Sequence, residues 1–345
     1  RTDFSQYVIK TPDGIKILVK TGLYPEYSYG DILKITGKIE EPENFSDFDY
    51  KSYLAKDGIT HVSRYPEISL AGRSGKNFYG ALLSVKKSFI GRINAVLPEP
   101  QASFLAALLL GARRALPEEL TEAFSKTGTS HIIAISGYNI SLVSAVIFNF
   151  LGFLLLPRRA IFWFTGIIIV LFTLIAGAGA SVVRAAVMGG LLLISKREGR
   201  IYDMRNAIAL AGAAMLFINP YLFRYDAGFE LSFLATLGLV YLSPYFEKWF
   251  KNLPNFLSLR DNLSATLSAQ IATFPVIFFS IGKFSLTAVP ANLLILPAIP
   301  PAMVSGFFSA AAAFVSVKAG AILAVAPRVL LSYQIWIAKI FSLIS

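Results

Sequence analysis

The stretch TSHIIAISGYNISLVSAVIF (Thr129–Phe148) is apolar enough for a membrane helix, yet it is rich in small and polar residues. A face of small residues lets a second helix approach closely. The same face also suits the wall of a water-filled path, because hydroxyl groups at membrane depth need partners. The small residues are spaced by four, three, four and three positions and share one helix face: Ser130, Ala134, Gly137, Ser141 and Ser144.

Three further polar side chains stand in the same stretch, namely His131, Ser136 and Asn139. Asn139 lies off the small-residue face and one turn from Ser136. A buried amide there must either bond to a neighbouring helix or line a path. The stretch therefore predicts a membrane helix whose polar groups lock helices together or border a conduit.

The composition of the whole chain is that of a polytopic membrane protein. Of its 345 residues, 55% are hydrophobic and 15% are charged, whereas about 25% of the residues of a soluble domain are charged. With no cysteine and two histidines, disulfides and thiolate metal sites are excluded, and a histidine metal cluster is almost excluded as well. We expect no cofactor.

Apolar segments of spanning length follow one another from residue 130 to residue 343, and we expect about seven to nine of them. Several prolines fall in or beside the later segments, including Pro275, Pro290 and Pro297. Proline breaks membrane helices and frees carbonyl groups, which is tolerated only beside protein or water. Some segments are therefore predicted to be broken or re-entrant.

Basic residues predict how these segments are oriented. Residues 1–80 carry 11 basic and 11 acidic side chains, so the net charge of +11 falls entirely in residues 81–345. With the segment at 130–156 entering from outside, nine basic residues fall in inner loops and two in outer loops, as the positive-inside rule requires. The same excess of charge also suits a path for an anionic polymer.

Residues 1–72 are predicted to form short strands, including SQYVIK, IKILVK, DILKITGKI and ITHVS. Strands of this number and length suit a small OB-like β-barrel, although a loose β-sandwich fragment has the same periodicity. The charge pattern places this domain outside the cytoplasm. Residues 73–128 are predicted to be a linker with interfacial amphipathic helices, and residues 129–345 the membrane domain.

Two charged residues stand inside apolar segments. Arg184, in GAGASVVRAAVMGG, costs about 2.5–3.5 kcal/mol to insert and so needs a partner or a task. It forms either a buried ion pair or a fixed positive charge that faces an anionic substrate. Glu230, in RYDAGFELSFLATLGLVYL, is its natural partner if the two helices touch.

Four ordered motifs resemble the competence domain of ComEC-type proteins, the inner-membrane DNA channels of natural transformation: HIIAISGYNI, SVVRAAVM, GFELSFLATLGL and PANLLILP. The N-terminal region is similar to the OB-like domain that precedes it in that family. The resemblance implies that a single DNA strand passes into the cytoplasm through a cytoplasmic-membrane protein. The matching motif positions are His131, Ser136, Gly137, Asn139, Arg184 and Glu230, to which Ser141 and Ser144 add path-lining candidates.

The resemblance also implies partners: single-stranded DNA, the lipid bilayer and other DNA-uptake proteins, such as an outer DNA receptor and a cytoplasmic helicase or single-strand-binding protein. The family often carries a C-terminal metallo-β-lactamase-like domain, and the chain has no HxHxDH run. We therefore expect no enzymatic activity. Because the chain begins at Arg1, we also expect it to be part of a longer protein, with at least one membrane crossing upstream.

Two other functions remain open from the residues alone. Broken helices with an Arg–Glu pair suit a secondary transporter or flippase for a small anionic substrate. Polar groups that only lock helices together suit a non-conducting membrane scaffold.

Overall fold

The computed structural model describes residues 4–344 with the exception of 45–48, 74–76, 135–136, 253–254, 256–257, 283–284 and 286. The chain divides into two compact units. The first comprises residues 1–85 and 215–227, and the second comprises residues 86–214 and 228–345. Each unit is described by itself.

The first unit contains the β-strands predicted for the N-terminal region. They are β1 (Ser5–Lys10), β2 (Lys16–Thr21), β3 (Asp31–Thr36), β4 (Ile59–Arg64) and β5 (Glu67–Arg73), with one short helix, α1 (Tyr50–Ala55). Strands β1 and β2 form an antiparallel hairpin in which Ser5 faces Thr21 and Lys10 faces Lys16. Strand β4 joins β2 in parallel, and β3 pairs with β5 in a separate antiparallel sheet.

The predicted OB-like barrel is therefore not confirmed. Among the described residues, the strands form one sheet of three strands in the order β1-β2-β4 and one of two strands, and no closed barrel. A period-two pattern of apolar residues reports which face of a strand is buried, but not which strand lies beside it. Strands β1 to β4 were predicted at nearly the right residues, whereas β5 was not identified and closure into a barrel was not readable from that pattern.

The rest of the chain is helical. In order, the helices are α2 (Phe78–Val96), α3 (Gln101–Leu110), α4 (Glu118–Lys126), α5 (Ser130–Ile133), α6 (Gly137–Phe153), α7 (Arg158–Ile175), α8 (Ala180–Arg197), α9 (Met204–Ile218), α10 (Leu222–Tyr225), α11 (Ala227–Tyr241), α12 (Ser243–Trp249), α13 (Leu259–Val276), α14 (Ala288–Ile295), α15 (Ile299–Val315), α16 (Val317–Leu323) and α17 (Val325–Ser342). A π-helix, Ile277–Ile281, continues α13.

The largest core cluster of the second unit is built around α3. The side chains of Phe104, Leu105 and Leu108 are completely buried and pack with residues of α4, α15 and α17. Gly111, in the left-handed conformation, ends α3 by donating its N–H to the carbonyls of the last turn. Within the segment expected to be a linker with interfacial helices, α3 thus lies in the core.

A second region of the same unit brings together the helices that carry three of the four motifs. Helices α6, α7 and α8 share a core that includes Ile140, Ile169 and Val182. Helix α8 also packs on α9 through Met188 and Ala211, with Phe233 of α11 against this cluster. This arrangement places the segments around Gly137, Arg184 and Ser232 in one bundle.

The number of apolar helices long enough to span a membrane is smaller than predicted. By length and composition, three of the described helical segments qualify, Arg158–Ile175, Leu259–Phe279 and Ala288–Val315, or up to five if two bent pairs each count as one span. The bends are 47° between α11 and α12 and 50° between α16 and α17. The predicted seven to nine segments are thus not confirmed, partly because α6 and α9 have fewer than 18 residues.

Candidate functional site

Arg184 is the centre of the candidate site. Its side chain is 9% exposed, in the second turn of α8. The Nε donates a hydrogen bond to Ser232 Oγ at 2.7 Å, and Nη1 donates to the hydroxyl of Thr236. Nη1 also lies 3.7 Å from Met188 Sδ, and the guanidinium carbon lies 5.8 Å from the centre of the Phe233 ring. Hydroxyl groups of α11 therefore hold the guanidinium of α8.

Two local features allow α11 to present these hydroxyls. Ser232 and Thr236 are one turn apart and so lie on the same face of α11. Thr236 Oγ1 also donates to the carbonyl of Ser232 at 2.9 Å, the usual way in which a threonine satisfies its own hydroxyl in a helix. Both oxygens therefore have lone pairs to offer to Arg184.

Gly137, the first residue of α6, forms the third side of the site. A Cβ built on Gly137 would lie 3.1 Å from Arg184 Nη2 and 3.3 Å from Ala185 Cβ. The absence of a side chain at Gly137 lets the start of α6 approach the guanidinium closely. Three of the four sequence motifs thus meet at Arg184.

The charge of Arg184 has no carboxylate partner within 4 Å among the described residues. The ion pair with Glu230, one of the two possibilities left open for Arg184, is not formed. Glu230 stands two residues before Ser232, and so about 200° around the helix from it, and its side chain is half-buried. The charge of Arg184 also acts on Tyr202, in the loop between α8 and α9. Burial raises the pKa of the Tyr202 phenol, and the positive charge of Arg184 lowers it.

Asn139 has a structural contact. Its Nδ2 donates to the carbonyl of Leu108 at 3.0 Å, and the amide is buried. Leu108 lies in the last turn of α3, where carbonyl groups run out of helical donors. Of the two roles predicted for Asn139, it therefore performs the bond to a neighbouring helix.

The other predicted residues do not meet at Arg184. His131 lies in α5 and is exposed, as is Ser141. Ser144 is half-buried, and its Oγ has no hydrogen-bond partner among the described residues. Ser136 lies outside the described residues. The predicted continuous small-residue face is interrupted, because α5 ends at Ile133 and Ala134 has an extended backbone.

Ser232 and Thr236 are the site residues that the sequence analysis missed. Their signal is present in GFELSFLATLGL as two hydroxyl residues four positions apart on an apolar helix. Glu230 drew attention because it is charged, whereas a buried arginine in the membrane is also satisfied by neutral oxygen acceptors.

Comparison with known proteins now bears on this site. A family model described as "Competence protein" matches residues 108–345, which include all three helices around Arg184. The chain belongs to the competence protein family. The resemblance to ComEC-type competence proteins is therefore confirmed, and with it a role in competence. Together with the apolar helices, membership of the family identifies a membrane protein.

The chain spans less than half of the length of the curated relatives that it matches. ComE operon protein 3 of Bacillus subtilis (strain 168) is 31% identical over 268 residues, which cover 76% of this chain and 33% of that protein. An uncharacterized protein of Aquifex aeolicus (strain VF5) is 29% identical over 201 residues, covering 57% of this chain and 43% of that protein. YcaI of Escherichia coli (strain K12), also uncharacterized, is 24% identical over 223 residues, covering 62% of this chain and 29% of that protein. No solved structure gives a significant match.

Proposed function

We propose that this competence-family chain forms part of a membrane channel that carries single-stranded DNA across the cytoplasmic membrane during natural transformation. The observation that carries the proposal is the buried guanidinium of Arg184, which three motif segments surround and which no described carboxylate neutralises. A buried charge without a counter-charge is costly. A passing phosphate would supply the missing negative charge.

The distribution of charge supports the same proposal. The net charge of +11 lies in residues 81–345, the part of the chain that contains the apolar helices. Phosphate contacts made by basic side chains give binding that weakens steeply with salt. We therefore expect single-strand binding by the full-length protein to be strongly salt-dependent.

The test is uptake of labelled DNA by transformable cells whose own protein is replaced by a full-length Arg184→Met variant. We expect uptake to fall by at least about tenfold, equivalent to about 1.4 kcal/mol. The protein should still reach the membrane at its usual level, because the substitution removes a charge that is costly inside the membrane and keeps an unbranched side chain. Arg159→Met, which removes an exposed arginine, is the matched control.

Each outcome decides the role of Arg184. Undiminished uptake by Arg184→Met at normal protein levels would remove Arg184 from the path. A loss of the protein itself, with Arg184→Lys failing to restore it, would assign Arg184 to helix packing. An intermediate uptake with Arg184→Lys is expected, because lysine keeps the charge but loses the planar fork that binds two hydroxyls.

The orientation and partners form part of the same proposal. Under the positive-inside rule, the N-terminal β-strands lie outside the cytoplasm, and the helix ends that carry Arg158, Lys196 and Lys248 lie inside. In this arrangement the chain works within the lipid bilayer with an outer DNA receptor and a cytoplasmic helicase or single-strand-binding protein. The chain itself carries out transport and no enzymatic step.

A small-anion transporter or flippase is the second candidate. The bent helix pairs, with angles of 47° and 50°, and the π-helix after α13 are features that transporters use at binding sites. Flux of a small anion through proteoliposomes, without passage of oligonucleotides, would favour this function over the channel.

A further inference from the structure

The second unit contains a cavity that the Arg184 site does not use. It has a volume of about 410 Å³ and lies between the end of α4, the end of α13 and the start of α14. Its size is in the range of cavities that hold small molecules. The lining residues that matter below are Ser125, Lys126, Gly128, Gln270, Phe274 and Ser285.

Irregular backbone builds this cavity. Pro275 lies inside α13 and removes the N–H that would bond to the carbonyl of Ile271. The π-helix Ile277–Ile281 follows and ends at Gly282, which has a φ of +67°. π-Helices are rare and occur frequently at functional sites.

Gly128 closes the opposite wall. Its φ is +64°, a conformation that favours glycine, and an added Cβ would lie 2.8 Å from Ala288 Cβ. The absence of a side chain at Gly128 therefore lets the end of α4 pack closely on the start of α14 and close this wall.

The chemistry of the lining combines a free donor with an aromatic face. Gln270 Nε2 is buried and has no hydrogen-bond partner among the described residues. A buried amide donor without a partner is costly, and rotation of the Gln270 side chain toward the cavity would let a ligand acceptor satisfy it. Phe274 is 42% exposed, and its ring stacks on Phe278 at 5.5 Å.

Among the described lining residues of the cavity, the charges are balanced. Lys126 Nζ lies 2.9 Å from a carboxylate oxygen of Glu122, so the ammonium group is already paired at the rim. The cavity therefore favours a neutral, flat group with hydrogen-bond acceptors over a bare phosphate. Every nucleobase has such acceptors and a π-face on which an aromatic side chain can stack.

We propose that this cavity, the base pocket, holds one unpaired base of the incoming DNA strand, stacked on Phe274 and accepting a hydrogen bond from Gln270. The inference rests on the proposed function and adds a site to it. In the proposed orientation the end of α13 lies on the extracytoplasmic side, where the strand enters. Stacking gives affinity without sequence preference, as uptake of arbitrary DNA requires.

The test uses the full-length protein in lipid nanodiscs and fluorescence anisotropy with two probes, a thymidine oligonucleotide and the same strand with abasic sites. The wild type should prefer the thymidine strand. Phe274→Ala should weaken binding of that strand roughly 5- to 150-fold, the range for one base–aromatic stack, and leave the abasic strand unaffected. Gln270→Leu should also reduce the preference.

Two further variants separate stacking from folding. Phe274→Tyr keeps an aromatic ring and should keep the preference for the thymidine strand. Phe308→Ala removes a phenylalanine of similar exposure, 51%, from α15 and should change neither affinity. A thymidine strand containing 5-iodouracil should cross-link to Phe274 on irradiation.

The outcomes distinguish the pocket from the channel. Equal affinity for the two strands in the wild type would mean that phosphate or a lipid-headgroup site is being measured, and it would overturn the base pocket. So would unchanged binding by both Phe274→Ala and Gln270→Leu. If these variants behave as wild type while Arg184→Met loses uptake, the pocket fails and the channel stands. If the wild type binds no single strand, both proposals fail.

Discussion

Gly238 provides the sharpest test of how the helices around Arg184 are held. It lies in α11, two residues after Thr236, where α11 crosses α13. A Cβ added to Gly238 would lie 2.7 Å from Ala272 Cβ and closer still to the carbonyl oxygen of Ser268. Because one of these atoms belongs to the backbone, a rotamer change cannot relieve the clash.

The expected size of the effect of Gly238→Ala follows from these distances. Ordinary Cβ contacts begin at about 3.4 Å, so the two helices would have to separate by at least about 0.7 Å in a close-packed interior. Such overpacking costs about 1–3 kcal/mol. The better helix propensity of alanine offsets about 1 kcal/mol of this. Because the nearest atom belongs to the backbone and cannot move aside, we take the upper half of the overpacking range, about 2–3 kcal/mol, and expect a net loss of about 1–2 kcal/mol of unfolding free energy.

The assay is thermal unfolding of the purified protein in one detergent, with Gly190→Ala as the matched control. Gly190 lies in α8, and a Cβ there would meet no atom within 4 Å, so alanine should leave the melting temperature unchanged or raise it. Gly238→Ala should lower it by several degrees and should also reduce DNA uptake, because α11 carries Ser232 and Thr236. Melting of Gly238→Ala at or above the wild-type temperature would refute this packing of α11 on α13.

Two further predictions concern polar contacts outside the site. Asn139→Leu removes the donor to the last turn of α3 and should lower the free energy of unfolding by about 1–3 kcal/mol, measured by thermal unfolding. The control is Asn149→Leu, at an exposed position of the same helix, which should change stability by at most about 0.5 kcal/mol. Lys56→Met breaks the ion pair with Asp226, whose N–O distance is 3.0 Å with side chains 10% and 17% exposed. We expect this change to destabilise the first unit by about 2–4 kcal/mol. Limited proteolysis measures the effect as faster cleavage of that unit. Lys51→Met, which breaks an exposed pair, should cost at most about 1 kcal/mol, and equal effects of the two lysine variants would contradict the buried pair.

The sequence predicted the type of most elements well and their assembly less well. Alternation identified β1 to β4 nearly at their observed residues, and apolar runs identified the helical part. Both signals are local and depend on which side of an element is buried. The pairing of β2 with β4 in parallel and the burial of α3 are long-range, since they depend on what covers each face. A run such as QASFLAALLL is equally consistent with a core helix and with a short interfacial helix.

The sequence identified only some of the site residues, because contacts between helices are long-range as well. Arg184 and Gly137 were found because an arginine in hydrocarbon and a glycine on a small-residue face are exceptional at their own positions. Their partners are ordinary residues whose importance comes only from contact. Ser232 and Thr236 resemble any hydroxyl in a membrane helix until α8 is placed beside α11.

Arg184 shows why the carboxylate was the wrong partner to expect. Contact between α8 and α11 alone does not decide which residue of α11 meets the guanidinium; the rotation of α11 about its axis does. Gly238 fixes one side of α11 against α13, and Phe233 packs against α8 and α9. With those two sides occupied, Ser232 and Thr236 face Arg184, and Glu230, about 200° from Ser232, does not. The glycine that permits close packing on α13 thus also helps to leave the arginine without a carboxylate partner among the described residues, as the proposed path for a polyanion requires.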